Sequence, residues 1–97
     1  MAKSIEEIRV RIDEVDAEMR ALFEERLDLV YQVAEYKFTN HGEILDPKRE
    51  AEVVKKHTEK LENADYKKYY TEFIHAVMDQ SKRVQQAYID EQDTKMV

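Results

Sequence analysis

Residues 5–40 read IEEIRVRIDEVDAEMRALFEERLDLVYQVAEYKFTN, thirty-six positions without a proline or a glycine. Apolar side chains recur at Ile5, Ile8, Ile12, Val15, Met19, Leu22, Leu29 and Val33, at gaps that alternate three and four once position 26 is counted. That spacing is a heptad-like seam along one face of a helix. Ser4 and Glu7 form a capping-box pair at its start, where the serine oxygen can accept from the Glu7 N–H and the glutamate can reach back. Asn40-His41-Gly42 reads as its C-terminal stop. The stretch therefore predicts one long helix over residues 5–40.

Working outward, Asp46-Pro47 supplies an N-cap and a proline at the first helical position, which opens a second helix over about residues 47–62. Its inward residues are expected to be Ala51, Val54, His57 or Thr58, and Leu61. A short connection at residues 63–65 leads into a third helix over about residues 65–90, striped by Tyr70, Phe73, Ile74, Val77, Met78, Val84 and Tyr88. Residues 91–97 are polar and are expected to fray. The chain is read as a single all-α domain over residues 1–97 with three helices.

Composition supports this reading and excludes several functions. A single glycine and a single proline leave almost no turn chemistry for β-hairpins. With no cysteine there can be no disulfide, thiolate metal site or cysteine nucleophile. No apolar run approaches the roughly 20 residues of a membrane span. The N-terminus turns acidic at Glu6-Glu7 without an apolar signal core. A soluble cytoplasmic protein is the expectation. A net charge of −6 repels nucleic acid at long range, although a local group of cations can still hold a small anion.

Length adds a constraint. A helix of 36 residues spans about 54 Å at 1.5 Å per residue. A compact chain of this size would have a radius of gyration near ~12–13 Å. The first helix overshoots its own domain with its apolar stripe continuing, so a second copy is the simplest cover, in an intertwined helical homodimer. The alternative is an ordinary coiled coil.

Two stripe positions break the apolar pattern. Arg26 and Lys37 stand where Leu or Val is expected, eleven residues apart and so nearly in phase. Their Cα atoms should lie about 16 Å apart, a span that two long side chains can close around a small organic dianion. Otherwise their stems lie along apolar surface with the charges in water, or pair with carboxylates. Arg9, seventeen residues before Arg26, lies roughly 25 Å away and about 100° off in phase. If Arg9 serves the same site, it must come from a partner subunit.

The third helix has a matching irregularity. Ser81 and Gln85 fall on the line Ile74, Met78, Ser81, Gln85, Tyr88, so two neutral polar groups need partners if that line is buried. At the head of the second helix, Arg49 and Glu50 follow the Asp46 cap, and a helix N-terminus beside a cation suits an anion. His41, His57 and His75 share no metal-ligand spacing, and no phosphate loop, EF-hand or Ser-His-Asp arrangement is visible. Tyr66, Tyr69 and Tyr70 read as packing at the head of the third helix, since a basic groove for nucleic acid is missing.

Taken in order, these residues resemble the all-helical class of chorismate mutases. The elements are Ile8-Arg9 with Ile12 and Asp16, Glu25-Arg26 with Leu29, then Lys37, then Asp46 with Arg49-Glu50, and Ser81 with Gln85-Gln86. The likeness spans residues 5–88 and rests on the ordered set, since each element is weak alone. It implies three helices per chain in a dimer whose two sites each borrow an arginine. It also implies the rearrangement of chorismate to prephenate, a [3,3] shift that needs no metal or cofactor. By this resemblance Lys37 and Gln85 donate to the breaking ether oxygen. Arg26, Arg49, Ser81 and the partner's Arg9 hold the carboxylates, and Glu50 with the backbone near Asp46 takes the ring hydroxyl. Met78 and Lys82 depart from the smaller or more apolar groups expected beside such a site. The segment between Arg49 and Ser81 is also about one residue shorter than in the best-known bacterial member, a difference placed in the loop at residues 62–65. Two alternatives stay open: an isochorismate pyruvate-lyase on the same fold, and a non-enzymatic helical interaction module in which Arg26 and Lys37 set register.

Overall fold

A computed structural model describes residues 3–96. It contains α1 (Ile5–Asn40), α2 (Pro47–Glu59), a 3-10 turn (Ala64–Tyr66) and α3 (Lys67–Lys95). Among the described residues there is no strand.

Local chemistry accounts for most of the boundaries. The Glu7 N–H donates to Ser4 Oγ at 3.2 Å and starts α1; the reciprocal bond from the Glu7 side chain does not form. At the other end His41 adopts the left-handed conformation with φ 56°, and the Gly42 N–H donates back to the Lys37 carbonyl at 2.8 Å. Asp46 caps α2 by accepting from the Arg49 N–H at 3.0 Å.

The later helices differ from the sequence expectation at three ends. α2 stops at Glu59, short of residue 62, because the N–H groups of Lys60 and Leu61 turn to 3-10 geometry on His57 and Thr58. The Asn63 side chain then accepts from the Asp65 N–H and sets a 3-10 turn ahead of α3, which begins at Lys67. At its far end α3 runs on to Lys95, so most of the segment expected to fray is helical. Bonds from Gln86 to Asp90, from Thr94 to the Asp90 carbonyl and from Lys95 to Glu91 support those last turns.

Packing within the chain is centred on α3, which lies against both α1 and α2, whereas α1 and α2 do not pack on each other. The buried residues are Val30 and Ala34 of α1, Thr58 of α2, and Ile74, Met78, Ser81 and Gln85 of α3. On α3 this is the line read from the sequence, with its two polar members inside. Tyr88 locks the far end of that line, its ring edge-on to Tyr31 and Phe38 at 6.5 and 6.4 Å. Elsewhere the expected core needs correction. Ala51 and His57 are exposed, and Thr58 is the inward residue of α2. Phe73 is exposed as well. Tyr66 and Tyr69 are also exposed, and only Tyr70 packs, on Phe73 at 6.1 Å.

The largest correction concerns α1. The apolar residues of its seam from Ile5 to Val33 are not buried within the chain, since Leu22 is 64% and Leu29 53% exposed. The helix uses a second line through Val30 and Ala34, one residue out of step and about 100° round the cylinder. The result is a long object, 64 × 26 × 15 Å with a radius of gyration of 17.5 Å, well above the ~12–13 Å of a compact chain this size. No helix among the described residues is long and apolar enough to cross a membrane.

Candidate active site

Because α3 separates α1 from α2 along part of its length, a cavity of about 220 Å³ remains where the three helices approach one another. Arg26 and Lys37 enter it from α1, and Ser81 and Gln85 from α3. Asp46, Arg49 and Glu50 line it from the head of α2. Val30, Val33, Ile44, Val53 and Met78 provide apolar walls, and Lys82 completes the rim. Seven of the eight site residues expected from the sequence thus share one cavity. The exception is Arg9, which is exposed on α1 and does not line it.

Arg26 is fixed across the helix interface. Its Nη1 donates to the Ser81 hydroxyl, and that hydroxyl donates in turn to the Val77 carbonyl at 2.9 Å. Burial lowers the pKa of the Arg26 guanidinium from its ordinary value, but an arginine remains charged across the physiological range. Since the Ser81 proton is committed to Val77, Ser81 acts in this arrangement by holding Arg26.

Lys37 is held by the turn that ends its own helix. Its Nζ donates to the Ile44 carbonyl at 3.0 Å. Gly42 allows that turn to close, for a Cβ there would lie 3.2 Å from Lys37 Cγ. Ammonium and glycine are therefore coupled: a side chain at position 42 would push the lysine stem aside by a few tenths of an ångström.

Arg49 stands in the first turn of α2, beside backbone N–H groups that have no helical acceptor. Among the described residues Arg26, Lys37 and Arg49 make no ion pair, so three positive charges face one cavity without a protein carboxylate bound to any of them. Glu50 is engaged elsewhere: its Oε1 lies 2.9 Å from Lys82 Nζ. Hydrogen bonds to Glu50 and then to Asp79 hold the Lys82 ammonium above its ordinary pKa. Gln85 is buried, and its Oε1 has no hydrogen-bond partner. A buried polar atom left unpaired costs about 1–3 kcal/mol, and this one is an acceptor.

The arrangement suits a small, multiply anionic ligand with a further oxygen to be hydrogen-bonded. Over residues 8–86 the sequence matches the family model for chorismate mutase type II. The chain belongs to the chorismate mutase type II family. No curated protein and no solved structure matches it. Met78 and Lys82 lie beside the cavity as the sequence predicts, whereas nothing in the sequence announces the Lys82–Glu50 pair. It depends on the register of α3 against α2, which no spacing within either helix reveals.

Proposed function

We propose that this chain is a chorismate mutase that rearranges chorismate to prephenate. The observation that carries this reading is the set of three cations, Arg26, Lys37 and Arg49, facing one cavity with no acidic partner beside the buried amide of Gln85. A dianion satisfies those charges, and its ether oxygen offers a further site for donors.

The reaction is intramolecular and needs restraint of a flexible substrate in a compact conformer, together with fixed donors at the oxygen where charge develops. Arg26, held by Ser81, and Arg49 bind the carboxylates through planar forks. Lys37 and Gln85 donate to the ether oxygen, with the Gln85 amide oriented so that its nitrogen faces it. Glu50 and the backbone near Asp46 take the ring hydroxyl. None of these groups exchanges a proton with the substrate.

The working unit is a homodimer. The apolar residues of the α1 seam from Ile5 to Leu22 are exposed in one chain, and a groove between α1 and α3 is walled by Met19, Leu22, Phe23 and Val77. A second α1 laid across this face buries both seams and carries its own Arg9 toward the first chain's cavity. A cavity of about 220 Å³ is also small beside the ~300 Å³ and more usual for ligand sites, and a partner wall completes it. The test is direct: purified chain should consume chorismate and yield prephenate. If it yields no prephenate, or releases pyruvate from isochorismate instead, the reading is overturned.

A further inference from the structure

The Glu50–Lys82 contact joins the first turn of α2 to the middle of α3, and it is the one ion pair between two helices among the described residues. Both side chains also line the outer groove between α2 and α3, beside Val54 and His75, so the pair forms the partition between that groove and the cationic cavity. Lys82 Nζ is 2.9 Å from Glu50 Oε1 and 3.3 Å from Asp79 Oδ1, which ties the ammonium to both carboxylates.

Glu50 is also the one carboxylate-bearing side chain lining the cavity besides the capping Asp46. An unheld glutamate in the first turn of α2 would turn toward the nearest cations, and those are the groups a dianion needs. We propose that Lys82 is a positioning residue: it holds Glu50 at the α2–α3 partition and so keeps Arg26, Lys37 and Arg49 unpaired for the substrate. The inference rests on the chorismate reading of this cavity. It assigns Lys82 a task that an apolar residue at that position could not perform.

The experiment compares steady-state kinetics of the wild-type chain with Lys82→Met, Lys82→Arg, Glu50→Gln and the Glu50→Gln/Lys82→Met double variant, each checked for wild-type helicity. Lys82→Met should raise KM for chorismate about tenfold with kcat changed less than about twofold, because a released Glu50 competes for substrate-binding charge. Lys82→Arg should restore most of the loss. In the double variant, loss of Lys82 should add nothing to the effect of Glu50→Gln, since no competing charge is left to release. An unchanged KM in Lys82→Met overturns the inference. So do losses that multiply in the double variant, because Lys82 would then act independently of Glu50. A wild-type chain that does not turn over chorismate overturns the underlying reading, and this inference with it; an active wild type separates the two.

Discussion

Arg26 of α1 donates its Nη1 hydrogen to the hydroxyl of Ser81 on α3, fifty-five residues further along the chain. The bond lies beside the buried line of α3 and links the helix that supplies two cations to the helix that supplies the neutral donors. A hydrogen bond to a charged group contributes about 1.5–3 kcal/mol, and here much of that fixes the direction of a guanidinium. Ser81→Ala should therefore raise KM for chorismate about tenfold while leaving kcat within a few-fold. Steady-state kinetics check this, and an unchanged KM would mean that Arg26 is held by other contacts.

Lys37 and Gln85 should behave differently, since their proposed donation matters most in the transition state. Replacing either by Ala should lower kcat by about 10²–10³, the usual effect of losing one such donor. The pH profile separates them from titrating catalysts. Gln85 does not ionise, so kcat/KM should be nearly flat between about pH 5.5 and 7.5. Gln85→Glu should convert this to a profile that falls as pH rises, because a glutamate donates only when protonated. A wild-type profile that already falls steeply would count against Gln85 as the donor. Lys82 should not disturb this range. Its folded pKa is raised, so the stability it contributes is complete below the ordinary lysine value and lost only as pH rises through the raised one.

Much of this site could be read from spacing, and the reasons can be traced to particular residues. Arg26 and Lys37 share a phase on one uninterrupted helix, so their convergence follows from helical geometry alone. Ser81 and Gln85 sit on a line whose other members are apolar, and that line is buried. The face of α1 was the harder matter. Periodicity finds a stripe but does not say what covers it, and α1 has two: the regular seam, exposed in one chain, and the Val30–Ala34 line that packs inside it. The Glu50–Lys82 pair was equally hidden, because it depends on where the 3-10 turn at Ala64–Tyr66 delivers α3 against α2.

Gly42 offers a test of how closely Lys37 is positioned. Its added Cβ in Gly42→Ala would meet Lys37 Cγ at 3.2 Å, so the lysine stem has to give by a few tenths of an ångström. A misplacement of about 1 Å can cost 10²-fold in rate, and this smaller one should lower kcat roughly three- to tenfold. The melting temperature should barely change, because Gly42 is exposed and its φ is not positive. Wild-type kcat in this variant would show that the Lys37 ammonium is insensitive to its stem.

The exposed seam predicts an oligomer that a single charge should break. Leu22 is 64% exposed in one chain and lies midway along the seam. Burying such a side chain contributes about 1.5–3 kcal/mol, and a symmetric interface counts it twice. Leu22→Glu also places a charge in each half of the interface, so dimer affinity should fall by at least about 100-fold. Sedimentation velocity reads this directly. A wild-type chain that sediments as a monomer would remove the dimer from the proposal.

The sharpest consequence concerns Arg9, which lies outside the cavity of its own chain. If it acts in the partner's site, Arg9→Ala and Lys37→Ala homodimers each lack one necessary group in both sites. Mixing the two by co-refolding creates heterodimers in which the Arg9→Ala chain supplies Lys37 and receives Arg9 from the Lys37→Ala chain. That site is intact, and its opposite lacks both groups. Random pairing makes half of the dimers mixed with one good site each, so about a quarter of wild-type activity should return. An arginine serving its own chain would give no recovery on mixing. Full activity in the Arg9→Ala homodimer would place the residue outside the mechanism altogether.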